Sequence, residues 1–384
     1  TVDEIGARLL QNPAVKTALD VAERNEPGLI QEQMAICAVP APPFKEAARA
    51  EVLKKRFEAL GLRNVRIDAV GNVLGERPGL APRPHLVMAA HLDTVFPEGT
   101  DVTPRQEGTV LSGPGIGDDC RGLAVLVGVI RALDEAHVRT TGPVTFVANV
   151  GEEGLGDLRG AKALFNDTLK GRIDRFVSID GTGSGITNEA VGSFRYKVTF
   201  KGPGGHSYGA FSLVNPVHAL GRAIAAVADF QVPSEPKTTF NVGRIGGGTS
   251  VNSIAFEAWM EIDMRSADQA SLLAVDARFH EVVAAALAAE RERWGRTDLT
   301  VDKELLGRRP GGRTAPDSYI VRAARSVTTA LGLPARLGEG STDSNVPMSL
   351  GIPAITVGGG GRGTGAHSLA EAFDALKAGE IDVV

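Results

Sequence analysis

The sequence predicts an α/β protein: a doubly wound, mostly parallel sheet forming the main domain, with a ferredoxin-like α+β domain inserted into it. Three observations carry this expectation. Apolar, strand-like runs alternate with helical periodicity over residues 64–180, the rhythm of a parallel sheet with crossover helices. After about residue 193 the order becomes β-α-β-β-α-β, the split arrangement of ferredoxin-like domains. From about residue 317 helix and strand alternate again, so the middle stretch reads as an insertion. The domains are therefore drawn at 1–193, 194–308 and 309–384, with the first and last segments forming one body.

Taken in order, residues 18–38 and 45–60 read as helices, separated by the Pro-rich stretch Val39-Pro-Ala-Pro-Pro43. Strands are expected at 64–69 and 85–90, the second delivering His91. A Gly-rich turn, Ser112-Gly-Pro-Gly-Ile-Gly-Asp-Asp119, leads into an apolar helix at 120–134. Val144-Thr-Phe-Val-Ala-Asn-Val150 is a buried-strand pattern ending in Gly151-Glu-Glu-Gly154, and Phe176-Val-Ser-Ile179 ends at Asp180. In the insertion, strands are expected at 194–201, 238–245, 254–264 and 298–305, with helices at 214–230 and 269–292. The strand at 254–264 alternates cleanly, with Ile254, Phe256, Ala258, Met260, Ile262 and Met264 on one face. A helix at 317–331 and a strand at Ile352-Pro-Ala-Ile-Thr-Val357 follow. A Gly-rich loop then reaches Gly365-Ala-His367, and Ser368 or a neighbour is expected to cap a final helix with Glu371 in its first turn.

Bulk properties narrow the function. The 384 residues, 43% hydrophobic and 23% charged, suit one large or two medium globular domains rather than a disordered or fibrous chain. A net charge of −5 leaves no electrostatic footprint for nucleic acid. The apolar run Gly122–Ile130 stops at Arg131, too short to span a bilayer, so no membrane partner is expected. No secretory or twin-Arg segment is recognised near Thr1, and a cytoplasmic location is the expectation. Cys37 and Cys120 are too few for a disulfide framework and form no Cys-x-x-Cys, so any metal site must use His and carboxylates.

In an open α/β sheet, ligands collect outside the carboxyl ends of the strands. There the sequence gathers His91 and Asp93 after one strand, Glu152 and Glu153 after another, Asp180 after a third and His367 beyond a fourth, with Asp118 joining from the Gly-rich turn. His91 and Asp93, two apart in an extended chain, share a face, and a carboxylate is a common partner for the second nitrogen of a ligating imidazole. Two His and three carboxylates can hold two divalent ions if one carboxylate bridges. That donor set suits Zn2+, with Co2+ or Mn2+ as alternatives. Of the adjacent glutamates, one can ligate while the other acts as general base.

Together, His91-Leu-Asp93, Gly115-Ile-Gly-Asp-Asp119, Gly151-Glu-Glu-Gly154, Ser178-Ile-Asp180, Gly204-Gly-His-Ser207 and Gly365-Ala-His-Ser368 resemble the co-catalytic dinuclear zinc peptidase and acylase family. That family includes aminoacylase, the tripeptidase peptidase T, acetylornithine and succinyl-diaminopimelate deacylases, and glutamate-releasing carboxypeptidases. The resemblance covers nearly the whole chain. It implies His91 and Asp180 on one metal, Glu153 and His367 on the other, Asp118 bridging, Asp93 orienting His91, and Glu152 as the base. It further implies a lid domain at 194–308 that forms a homodimer and supplies His206, in relatives from the opposite subunit, to stabilise the oxyanion. Gly246-Gly-Gly-Thr-Ser-Val-Asn252 and Asp263-Met-Arg265 match segments that bind the substrate's carboxylate end, making Asn252 and Arg265 substrate-binding candidates. One departure is Asp119-Cys120-Arg121-Gly122, where relatives often carry Lys or Met, then Lys and Gly; it places a thiol beside the site.

The expected activity is metal-dependent hydrolysis of an amide bond in a short peptide, with deacylation of N-acyl amino acids as the alternative and a catalytically silent metal-binding scaffold as a remote one. Gly-Asp-Asp and Ser-Ile-Asp-Gly favour the peptidase. A dinucleotide-binding reading of Gly113-Pro-Gly115 fails, because Asp118 replaces the third glycine. His85, His137, His218 and His280 match no motif and read as surface or packing residues.

Overall fold

The computed structural model describes residues 1–375. Its chain divides into two compact units, one built from Thr1–Ala190 and the segment returning at Arg313, the other from Val191–Gly312.

In the larger unit the seven principal strands of a nine-stranded sheet run in the order Arg63–Ile67, Val73–Arg77, Val144–Asn149, Leu86–His91, Arg175–Ile179, Ala354–Val357, Ile186–Ala190. The four strands from Val144–Asn149 to Ala354–Val357 are parallel, and the strands flanking them are antiparallel. Central strands are apolar on both faces because helices cover both. Phe146 and Ala148 pack with Leu53, Phe57, Leu123 and Leu126 on one side. Val147, Val87 and Ala89 pack with Leu164, Phe165 and Phe176 on the other. Period-two alternation thus sorts neighbouring residues into separate cores. The parallel strands all end on one edge, where His91, Glu152, Glu153 and Asp180 follow.

Val191–Gly312 folds as an antiparallel sheet ordered Thr238–Gly247, Glu257–Ser266, Gly192–Lys201, Thr300–Arg309. The helices Pro216–Ala228 and Gln269–Trp294 pack on it through Val198, Phe200, Met260, Ile262, Met264 and Phe279. Chain order and sheet order together make this unit ferredoxin-like, so the molecule is an α/β protein carrying an inserted α+β unit.

Several local expectations are corrected. The stretch 18–38 is two helices, Pro13–Arg24 and Glu26–Cys37, broken at Asn25. Pro27 has no N–H to donate and is tolerated only in a first turn. The strand over 254–264 begins at Glu257, and Phe256 is exposed, outside the buried face formed by Ala258, Met260, Ile262 and Met264. Strands Val73–Arg77 and Ile186–Ala190 were not anticipated. Nor was a small sheet of Arg105–Glu107, Val110–Ser112, Arg362–Thr364 and Ala372–Asp374, whose strands are too short to show a period. Ser368 does not cap a helix: Glu371 leads directly into Ala372–Asp374, and any continuation past residue 375 lies outside the described residues. Cys120 is not a free thiol. It is joined to Cys37 in a disulfide with Cα atoms 5.5 Å apart, linking two buried helix ends that 83 positions of sequence separate. Among the described residues no helix is long and apolar enough to cross a membrane.

Candidate metal centre

His91 ends its strand almost wholly buried, 1% exposed. Its Nδ1 lies 3.0 Å from the Asp93 carbonyl and 3.6 Å from the Asp93 carboxylate. With Nδ1 donating to Asp93, Nε2 is turned toward Asp118 Oδ1 at 3.0 Å and Asp180 Oδ1 at 4.0 Å. The carbonyl of Asp93 is therefore the nearer orienting group. Its carboxylate accepts the backbone N–H groups of Glu152 at 3.0 Å and Glu153 at 2.8 Å. One residue thus ties the end of the His91 strand to the glutamate pair. Burial would raise the Asp93 carboxyl, but the imidazole and the two amides hold it below its ordinary value.

Asp118 stands between two imidazoles. Oδ1 faces His91 Nε2, and Oδ2 faces His367 Nε2 at 3.2 Å. His367 Nε2 also lies 2.9 Å from Glu153 Oε1. Ligand atoms of His91, Asp118 and Glu153 all lie within 4.8 Å of one another. The next residue, Asp119, is fully buried; its carboxylate accepts the His91 and Gly122 backbone N–H groups, capping the helix Cys120–Glu135.

So much negative charge in a low-dielectric site needs positive charge to balance it. The Asp118 and Glu153 carboxylates push the His367 imidazole up to about 10. Burial pulls His91 down, yet Asp118 and Asp93 overcome it and hold that imidazole well above its usual value. Burial, with Asp118, Asp343 and Glu153 adding to it against His91, pushes Asp180 up to about 7. Paired nitrogen and oxygen donors with no thiolate, the cysteines being joined to each other, fit hard or borderline divalent cations. Such cations would displace the protons that the imidazoles carry.

Three supports of the site were not singled out from the sequence. Arg49 is buried in the helix Ala47–Ala59, and its Nη1 donates to the Leu92 carbonyl, between His91 and Asp93, at 2.8 Å. Burial draws its guanidinium down to about 10, against Asp93 and Asp119. Asn149 Nδ2, at the end of the strand beside His91, donates to buried Asp343 at 2.6 Å. The Glu371 carboxylate accepts from the Gly-rich turn. An arginine inside the alanine run 47–50 was the one visible signal among them.

The remaining candidates lie in Val191–Gly312. His206 is exposed on the short strand Gly205–His206, and its Nδ1 accepts the Tyr208 and Gly209 backbone N–H groups at 3.3 and 3.2 Å. Nε2 is therefore the protonated nitrogen and a donor. Asn252 lies next to it, its carbonyl accepting the Ser207 N–H at 2.9 Å and its side chain accepting the Ser250 hydroxyl. Arg265 sits apart, near the far end of Glu257–Ser266, donating to Asp263 at 2.7 Å.

Residues 87–383, which include every candidate named above, match the family described as peptidase family M20/M25/M40. Over 354 residues the chain is 26% identical to the uncharacterized protein YqjE of Bacillus subtilis, covering 87% of this chain and 90% of that one. Over 272 residues it is 26% identical to the succinyl-diaminopimelate desuccinylase of Nitrosospira multiformis, covering 65% and 71%. The crystal structure of aminopeptidase PepT from Bacillus cereus superposes with a TM-score of 0.72 at 25% identity, over 90% of this chain and 93% of that one.

Proposed function

The chain belongs to peptidase family M20/M25/M40 and is a metal-dependent hydrolase, and we propose from that premise that it cleaves the amide bond of a short peptide by means of two divalent ions. The observation that carries the reading is the Asp118 carboxylate, which offers one oxygen to the His91 side and the other to the His367 side. His91 and Asp180 would hold one ion, Glu153 and His367 the other, with Asp118 spanning both. Zn2+ is the ion the donors suit best, with Co2+ and Mn2+ as substitutes.

When bound, the ions polarise the scissile carbonyl and lower the pKa of a water. Glu152 takes a proton from the attacking water on its carboxylate as the water oxygen bonds to the carbonyl carbon, and returns that proton to the amine nitrogen as the C–N bond breaks. Asp93 keeps Glu152 in place through its backbone N–H. His206 donates its Nε2–H to the carbonyl oxygen as charge builds there, acting from its own chain or across a homodimer formed through the inserted unit. Asn252 and Arg265 bind the substrate's carboxylate end. Cytoplasmic peptides are the source of substrate we favour.

The likeness to aminopeptidase PepT supports a peptide substrate, and the likeness to a desuccinylase supports the second reading, hydrolysis of an N-acyl amino acid. A product screen tests both, using di- and tripeptides blocked at either end alongside acylated amino acids. Amine release from peptides that stops on chelation and returns with Zn2+ is the expected result. Release only from acylated amino acids would favour the second reading. Release that survives complete chelation, or none from any substrate, would overturn both.

A further inference from the structure

We propose that Glu371 is a positioning residue that locks the Asp118 turn to the His367 segment, so that the two present their metal-facing groups as one unit; this rests on the two-ion reading above. Glu371 is 2% exposed. Its Oε2 accepts the Gly115 N–H at 3.0 Å, and its Oε1 accepts those of Gly117 at 2.8 Å and Asp118 at 2.9 Å. Three backbone donors of the Gly-rich turn thus converge on one carboxylate, and the last belongs to the residue that faces both imidazoles. A buried carboxylate beside Asp118 is costly unless such donors hold it.

The backbone delivers Glu371 to that position. Ala372–Asp374 pairs antiparallel with Val110–Ser112, the strand that enters the turn, with Ala372 opposite Ser112. The ladder extends one step further, the Gly113 N–H donating to the Glu371 carbonyl at 3.0 Å. Glu371 lies four residues after His367, and its N–H donates to the Ser368 carbonyl. The same residue therefore fixes the turn through its side chain and the His367 segment through its backbone. Glycine suits the turn around it. Gly115 adopts φ +78, and a Cβ on Gly117 would lie 3.2 Å from Glu371 Oε1.

The test is Glu371→Gln, which keeps the shape but leaves one acceptor oxygen. With that oxygen toward Gly117 and Asp118, the amide NH2 faces the Gly115 N–H, donor against donor. Metal-free full-length protein is titrated with Co2+, read by calorimetry and by the visible absorption of the bound ion, and its thermal melt is recorded separately. The expected result is Co2+ affinity lower by about 10–100-fold, with an altered spectrum and a cooperative melt. A lower melting temperature with wild-type Co2+ affinity and spectrum would overturn the proposal, because a purely structural role would do that. Wild-type protein that fails to bind two equivalents of Co2+ would sink the two-ion reading instead. Amide exchange in metal-free wild type decides the clamp without any variant. Slow exchange at Gly115, Gly117 and Asp118 supports it, and unprotected rates there overturn it.

Discussion

The candidate residues of the larger unit and those of the inserted unit are built in opposite ways. His91 and Asp93 are 1% and 0% exposed, and their polar atoms are held by one another, by the glutamate amides and by Asp118. His206 and Asn252 are exposed, and each is held by its own short turn. Arg265 is half-buried and leans on Asp263, which Arg195 also holds. A group that must keep like charges close together needs its geometry fixed in advance, and burial within a bonded network supplies that. A group that meets a transient substrate can stay hydrated until the substrate arrives. His367, with 54% of its side chain exposed, is the intermediate case: it belongs to the buried network but opens to solvent.

The comparison predicts that variants in the first group, the base Glu152 excepted, change ion binding, whereas variants in the second change turnover or substrate affinity and leave ion binding alone. Glu152→Gln should have the largest effect on rate, lowering kcat by about 10²–10⁴-fold. Metal analysis should still find two ions, since the change spares Glu153; a kcat near wild type would return Glu152 to a structural role. His206→Ala should lower kcat by about 10²–10³-fold with unchanged metal content, and loss of metal in that variant would break the division between the regions. Asp93→Asn replaces one acceptor of the glutamate amides and should weaken metal binding by about 10–100-fold, measured by competition with a chelating dye. Arg265→Ala should raise KM by about tenfold, the scale of one charge-assisted hydrogen bond, with kcat near wild type. A fall in kcat alone would move Arg265 from binding to the reaction itself.

Much of the sheet was legible because its central strands are continuous apolar runs that stop abruptly at charged residues. Leu86–His91 and Arg175–Ile179 followed by Asp180 show this directly. The β-α-β-β-α-β order was legible from alternation, as along Ala258 to Met264. The features not legible in the sequence depend on distant parts of the chain meeting. The Cys37–Cys120 bond joins positions 83 apart, and Asn149 meets Asp343 across 194 positions. Glu371 was read as a helix-start residue because an acidic side chain after a serine fits that pattern, and nothing local announces three amides from the Gly-rich turn. An arginine on a helix is ordinarily solvated, so the burial of Arg49 is not legible from its own segment.

The antiparallel pairing of Ser193 with Arg309 places the entry and exit of the inserted segment side by side, about one strand spacing apart. On the other side of the junction, Asn188 and Thr314 exchange two hydrogen bonds, N–H to carbonyl and side-chain amide to carbonyl, each at 2.9 Å. Topologically, the whole of Val191–Gly312 is therefore a long loop between adjacent backbone positions. Such a module can be lengthened, trimmed or exchanged by one contiguous genetic change without rethreading the sheet. His91, Asp118, Glu153, Asp180 and His367 all lie outside it. The residues proposed to hold the ions are therefore encoded wholly outside the one contiguous stretch that such a change would touch.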